Sequence, residues 1–288
     1  MMKGTLQMPE LQTLLTDLVI GESPRWHEDR LWFSEWGTQE VVAVDLGSKS
    51  EVTIRMPTMP FCIDWLPAGR LLVVSGREGL LLCREPNGSL VTYANLRYLS
   101  DRPWNEIVVD GRGNAYVNNI NFDFPGGPFA PGIIALVTSD GSARVVADGV
   151  AFPNGMVVTP DNKTLIVAES YANRLTAFDI DADGSLSNRR VWASLPGGAP
   201  DGICLDAEGA IWYADVPNKC CVRVREGGEV LQRLNLDRGC FACMLGGLNR
   251  RMLFLMVAEW RGPENMADQI RTGQILTVKV STPGVGWP

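Results

Sequence analysis

Apolar residues along this chain come in short runs, alternating or continuous, and turn chemistry cuts the runs before a helical stripe can form. Ile203-Cys204-Leu205 and Ile211-Trp212-Tyr213-Ala214 are two such runs, joined by Asp206-Ala207-Glu208-Gly209. Similar breaks fall at Pro86-Asn87-Gly88, Ser139-Asp140-Gly141, Asp181-Ala182-Asp183-Gly184 and Glu226-Gly227-Gly228. Asn, Asp and Gly at these breaks tolerate the positive φ that tight hairpins demand. The pattern predicts an all-β chain of short antiparallel strands.

The hairpin also repeats. Its copies run from Glu22 to Glu35, about Cys62 to Gly76, Asn105 to Asn118, Asn154 to Glu169, Asp201 to Asp215 and about Cys243 to Glu259. Their starts are spaced by 40, 43, 49, 47 and 42 residues. A second hairpin follows most copies, as with Arg174 to Ile180 and Arg189 to Ala193 around Asp183-Gly184. Four strands per unit and a period in the forties predict a six-bladed β-propeller with four antiparallel strands per blade. The last repeat has three clear strands, ending with Gln274 to Val280, and Leu11 to Ile20 is a strand without a blade. That N-terminal strand is expected to pair into the last blade and close the ring, removing two exposed sheet edges. No stretch reads as a linker, so a single domain over residues 1–288 is expected.

Composition narrows the function classes. The chain has 288 residues, 45% of them hydrophobic, which is enough for a substantial core. A net charge of −7 argues against nucleic acid or an anionic membrane as partner. Met1 to Gln7 has no signal-peptide core, and no apolar run approaches a membrane span, so a cytoplasmic protein is expected, as a monomer or weak homo-oligomer. The seven cysteines are an odd number without a repeating spacing, which suits reduced thiols packed in the core. Cys240-Phe241-Ala242-Cys243 has the C-x-x-C spacing, but the neighbouring pair Cys220-Cys221 is adjacent and points to opposite faces, a poor zinc cluster.

The first strand of a propeller blade is innermost, so matched positions ring one mouth of the central channel. Here they are Glu22, about Cys62, Asn105, Asn154, Asp201 and about Cys243. Four carry side-chain oxygen, a donor set for a hard or borderline divalent cation such as calcium, magnesium, manganese or zinc. The plainer alternative is that Asn-Gly and Asp-Gly only turn the chain into each strand. A second ring lies at the ends of the second strands: Glu35, Asn118 or Asn119, Glu169, Asp215 and Glu259. These are strand-end groups that face solvent or bind backbone amides, or, for Asp215 and Glu169 above all, residues that orient metal ligands.

Several segments carry a resemblance. Glu22-Ser23-Pro24-Arg25-Trp26, Phe152-Pro153-Asn154-Gly155-Met156 with Thr159-Pro160-Asp161, Pro200-Asp201-Gly202 with Asp206-Ala207-Glu208-Gly209, and Leu245-Gly246-Gly247 are similar to recurring motifs of the gluconolactonase family. That family includes senescence marker protein (regucalcin) and luciferin-regenerating enzyme. The resemblance implies a six-bladed propeller with one divalent metal at the channel mouth, calcium or zinc ahead of magnesium or manganese, and metal-dependent lactonase activity. By the same resemblance the metal ligands fall on Glu22, Asn154 and Asp201, with Asp201 also the general base. Asn105 falls on the substrate-contacting asparagine of an Arg-x-Asn-Asp motif. Here Glu106 replaces the aspartate, and Arg102 lies three residues before Asn105, out of the motif's register.

Opening a lactone needs a Lewis acid on the carbonyl, an activated water and groups that hold the ring. Two readings compete: a metal-dependent esterase or phosphotriesterase, and a non-catalytic propeller that binds calcium or a protein partner. A histidine-based hydrolytic mechanism would need the single histidine, His27, which falls in a His-Glu-Asp-Arg turn away from the ring and reads as a solvated turn residue. No Gly-rich phosphate loop opens a helix. Residues 119–132 and 260–273 are expected to emerge on the metal face, as plain connections or as a lid. With Phe122, Phe124, Phe129, Trp36 and Trp104 available, such a lid would be aromatic and suit a substrate less polar than a free sugar lactone.

Overall fold

The structure is a computed structural model that describes residues 10–265 and 268–286. Its strands form six sheets of four. Strand β1 (Gln12–Leu18) is met first but belongs to the last sheet. Blade one then holds β2 (Gly21–His27), β3 (Arg30–Glu35), β4 (Glu40–Val44) and β5 (Ser50–Arg55), and blade two β6 (Phe61–Trp65), β7 (Leu71–Ser75), β8 (Leu80–Arg84) and β9 (Leu90–Asn95). Blade three is β10 (Trp104–Val109), β11 (Ala115–Asn119), β12 (Gly132–Val137) and β13 (Ala143–Val150). Blade four is β14 (Pro153–Val158), β15 (Thr164–Glu169), β16 (Arg174–Ile180) and β17 (Leu186–Ser194). Blade five is β18 (Pro200–Leu205), β19 (Ile211–Asp215), β20 (Cys220–Val224) and β21 (Val230–Asn235). Blade six holds β22 (Gly239–Gly246), β23 (Met252–Ala258) and β24 (Gly273–Lys279), with β1 as its outer strand.

The expected propeller and its ring closure are therefore present: β1 pairs antiparallel with β24, Gln12 opposite Thr277 and Leu18 opposite Gly273. The inner strands β2, β6, β10, β14, β18 and β22 pack each against the next around the axis. Burial follows radius. Every residue of β6, β7, β11 and β19 is buried, whereas β5, β13 and β21 are largely exposed or half-buried. The inner two strands of a blade are covered on both faces by neighbouring blades, so burial runs along them instead of alternating.

Hairpin turns carry the conformations their residues suggested, with Asn162 at φ 56° and Gly209 at φ 73°. All seven cysteines are free and buried. His27 is not a solvated turn residue. It ends β2, stacks on Trp65 at 4.4 Å between ring centroids, and keeps only 15% of its side chain exposed. Among the described residues no helix is long and apolar enough to cross a membrane.

Candidate functional site

The inner strands are not regular where the ring residues lie. In blades three, four and five the ladder pairs Trp104 with Asn119, Pro153 with Glu169 and Pro200 with Asp215. It resumes at Ile107–Val117, Met156–Val167 and Ile203–Tyr213. Two inner-strand residues thus face one partner residue, a β-bulge that frees side chains from the pleat and re-aims them. The bulged pairs are Asn105-Glu106, Asn154-Gly155 and Asp201-Gly202. The Asn-Gly and Asp-Gly pairs lie inside strands, not in turns, and their glycines serve close approach. A Cβ on Gly155 would stand 2.6 Å from the Ile203 nitrogen, and one on Gly202 would stand 2.6 Å from the Ala242 Cβ. Blade one is irregular between Glu22 and Arg25, and blade two runs regularly with Cys62 opposite Val74. In blade six the bulge falls between Cys240 and Ala242, so Phe241, rather than the region of Cys243, reaches the cavity lining; Cys243 pairs with Leu255 farther along.

Strand-end groups hold the chain that leads into each oxygen-bearing position. Glu35 accepts the Val19 N–H at 2.6 Å and the Ile20 N–H at 3.2 Å, just ahead of Glu22. Glu169 accepts the Ala151 N–H at 2.7 Å, ahead of Asn154, and Asp215 accepts the Ala199 N–H at 3.2 Å, ahead of Asp201. Asn119 makes the matching contact in blade three by donating to the Arg102 carbonyl at 2.9 Å. On the same rung, blades two and six carry Ser75 and Ala258. Asn118 ties two ring positions together, donating to the Asn154 carbonyl at 2.7 Å and accepting the Glu106 N–H at 3.2 Å.

These residues open into a cavity of about 570 Å³ whose lining includes Glu22, Cys62, Asn105, Glu106, Asn154 and Asp201. Its charge balance is unusual. Burial, then Asp201 and Glu106, pushes the Glu22 carboxyl well above its ordinary value. Burial, then Glu106, does the same to Asp201, against a hydrogen bond from Asn154. Among the described residues neither carboxylate makes an ion pair. The nearest cation to this group, Arg25, lies 3.9 Å from Glu106 and 3.5 Å from Asp64. Ser23 also donates to Glu106, at 3.1 Å. Carboxylates that are buried (Glu22, Glu106) or half-buried (Asp201) and repel one another, with a carboxamide oxygen beside them, are the donor chemistry of a hard divalent cation, which would relieve the repulsion. Among the described residues no three His, Cys, Asp or Glu side chains are gathered closely enough to hold an ion by themselves, and the set at the mouth includes the amide of Asn154.

Other expected residues fall elsewhere. Arg102 is not on the cavity lining: its guanidinium is taken by Asp123 and lies 3.6 Å from Asp101. Trp104 is fully buried in the core, and Phe129 stands behind the wall, ring against Phe122 at 5.7 Å. Trp36, Phe122 and Phe124 do line the cavity, as do Trp260 and Glu264 from the blade-six connection. Sequence reasoning missed Arg77, Phe152, Tyr171 and Phe241 on this lining. Phe152 and Phe241 sit within two residues of a bulged ring position, and that adjacency was the available signal.

Residues 20–259 match the family described as SMP-30/Gluconolactonase/LRE-like region. The chain is 26% identical over 286 residues to the 6-deoxy-6-sulfogluconolactonase of Pseudomonas putida, covering 94% of each protein. It is 28% identical over 239 residues to the pentonolactonase XacC of Haloferax volcanii, covering 77% of this chain and 75% of that one. In fold it is similar to a luciferin-regenerating enzyme, with a TM-score of 0.83 and 20% identity over 97% of this chain and 98% of that one. Regucalcin of Agrobacterium tumefaciens, described as a calcium-binding protein, aligns with a TM-score of 0.82 and 19% identity over 97% of each chain. With the six-bladed fold and a match spanning all but the ends of the ring, the chain belongs to the SMP-30/gluconolactonase/LRE-like family.

Proposed function

We propose that the protein is a divalent-metal-dependent hydrolase that opens a lactone at the channel mouth. The observation that carries this reading is the pair of mutually repelling carboxylates, buried Glu22 and half-buried Asp201, beside Asn154 in one cavity. The lactonase names of two relatives support it. Glu22, Asn154 and Asp201 would hold the ion. When bound, a calcium or zinc ion, or magnesium or manganese, supplies Lewis-acid polarisation of the lactone carbonyl and an acidified water.

The remaining work falls to the chain's own residues. Asp201 takes a proton from the attacking water as the oxygen–carbon bond forms. As the ring carbon–oxygen bond breaks, the leaving oxygen accepts that proton, giving the hydroxy acid. Asn105, held by its own N–H to the Pro153 carbonyl at 3.3 Å, presents its amide oxygen to the ring. Glu106 extends the negative surface, and the aromatic wall limits access of bulk water.

A calcium-binding propeller without catalysis is the second reading, favoured by the description of the similar regucalcin as calcium-binding. Chelator-stripped protein assayed by acid release on a panel of lactones, with each divalent ion returned in turn, separates the two. Hydrolysis restored by an ion is expected. Hydrolysis that survives chelation removes the metal, and failure with every lactone, ester and phosphotriester favours the binding reading.

A further inference from the structure

We infer that the lactone taken by this site bears an apolar substituent, aryl or alkyl, seated among Phe122, Phe124, Phe152 and Tyr171, and is not a polyhydroxylated sugar lactone. This rests on the lactonase reading, which places the reacting carbonyl beside Asp201. The four rings come from two blades: Phe122 and Phe124 from the connection between β11 and β12, Phe152 from the lead into β14, and Tyr171 from the turn Ser170–Ala172. They form one cluster. Phe152 stacks on Tyr171 at 4.6 Å and meets Phe124 edge-on at 5.1 Å, while Phe122 lies 5.8 Å from Phe152 and 6.1 Å from Phe124. All four line the cavity that holds the carboxylates.

The cluster is built into the site rather than left over from the core. Phe152 has φ 57°, a left-handed conformation that a bulky residue rarely adopts, and it stands two residues before Asn154. Ser170, next to Tyr171, donates its hydroxyl to the Pro200 carbonyl at 2.7 Å, immediately before Asp201. The ring that stacks on Phe152 is thereby referenced to the catalytic strand.

Cationic recognition of hydroxyls is reduced: Arg102 is held by Asp123 away from the lining, and Arg77, which does line the cavity, already donates its Nε to the Met59 carbonyl at 2.7 Å. A sugar lactone entering here would lose water from its hydroxyls against aromatic carbon, and unpaired buried hydroxyls are strongly selected against. An apolar substituent meets matching surface.

The test compares kcat/KM for γ-phenyl-γ-butyrolactone and for glucono-δ-lactone, in the wild type, Phe124→Ser and Tyr171→Ser. Tyr171 is 53% exposed, so its replacement leaves the core intact. The inference expects the phenyl lactone to be favoured by about a hundredfold or more, and each variant to lose about tenfold on it through KM while changing the sugar lactone less than about twofold. A sugar lactone used as well or better, or equal losses on both substrates, overturns it. If neither lactone is hydrolysed, calorimetric binding of the same phenyl lactone decides the pocket, and the lactonase reading is left to the wider lactone panel. Binding weakened in both variants supports the apolar site, and no binding to the wild type overturns it.

Discussion

Each oxygen donor at the channel mouth depends on a partner that fixes its backbone. Asp215 takes the Ala199 N–H and two groups of Asn218, and so sets where Asp201 enters the cavity. An Asp215→Asn protein loses the charge that gathers these donors. We expect kcat to fall about tenfold and unfolding free energy to fall by about 1–3 kcal/mol, read from steady-state kinetics and denaturant melts. Glu169 shows the same device with a pH signature. Its burial, which by itself raises the carboxyl, is outweighed by Arg174, the Ala151 N–H and Thr176, so its pKa lies below the ordinary glutamate value. The folded form then binds fewer protons than the unfolded one. The contribution is complete above the ordinary glutamate range and is lost as pH falls through the lowered folded value. Unfolding free energies measured from about pH 7 down to about pH 3 should show the wild type losing its advantage over Glu169→Gln on acidification. Glu22, Asn154 and Asp201 were visible in sequence because the hairpin repeat put them in one register. Phe152 and Tyr171 were not, because an apolar residue looks the same in sequence whether its ring meets core or cavity. Arg102 was misplaced because its partner, Asp123, lies in a connection whose path no periodicity reports.

Among elements, the inner-strand bulges do most to create the site. They turn Asn105 with Glu106, Asn154 and Asp201 out of the ladder, and they require neighbouring inner strands to pass closely. Gly155 and Gly202 fill that requirement, since a Cβ at either would meet backbone or Cβ of the next blade at 2.6 Å. Gly155→Ala should cost about 1–3 kcal/mol by forcing β14 away from β18, with a loss of hydrolysis larger than the loss of stability suggests. Gly209→Ala offers a contrast: no atom lies within 4 Å of its Cβ position, but φ is 73°, so about 1 kcal/mol of strain is expected with activity per folded molecule unchanged. Denaturant midpoints and activity of the two variants separate crowding at the axis from strain in a distant turn. The bulges explain why the sixth ring position was misread. An extra residue shifts β22 so that Phe241, with no polar marker in sequence, reaches the mouth.

At the scale of the whole molecule, ring closure keeps these six inner strands at one mouth. β1 covers the edge of β24, and Leu14, Leu15 and Leu18 pack against the blade-six core. A chain beginning at Val19 exposes that edge, and it should unfold at a lower temperature and self-associate, as read by scanning calorimetry and light scattering. The period of the repeats and the unpaired N-terminal strand make this architecture legible in the sequence, because repeated hairpins and a strand without a blade imply edges that must be covered. The central claim, that Glu22, Asn154 and Asp201 together hold one divalent ion for lactone opening, is tested most directly by calorimetric titration of calcium or zinc into chelator-stripped protein, wild type beside Asp201→Asn. The account predicts one ion per chain in the wild type, affinity lower by about a hundredfold in the variant, and hydrolysis lost in parallel. Equal binding by the two proteins, or hydrolysis by the stripped wild type, would contradict it.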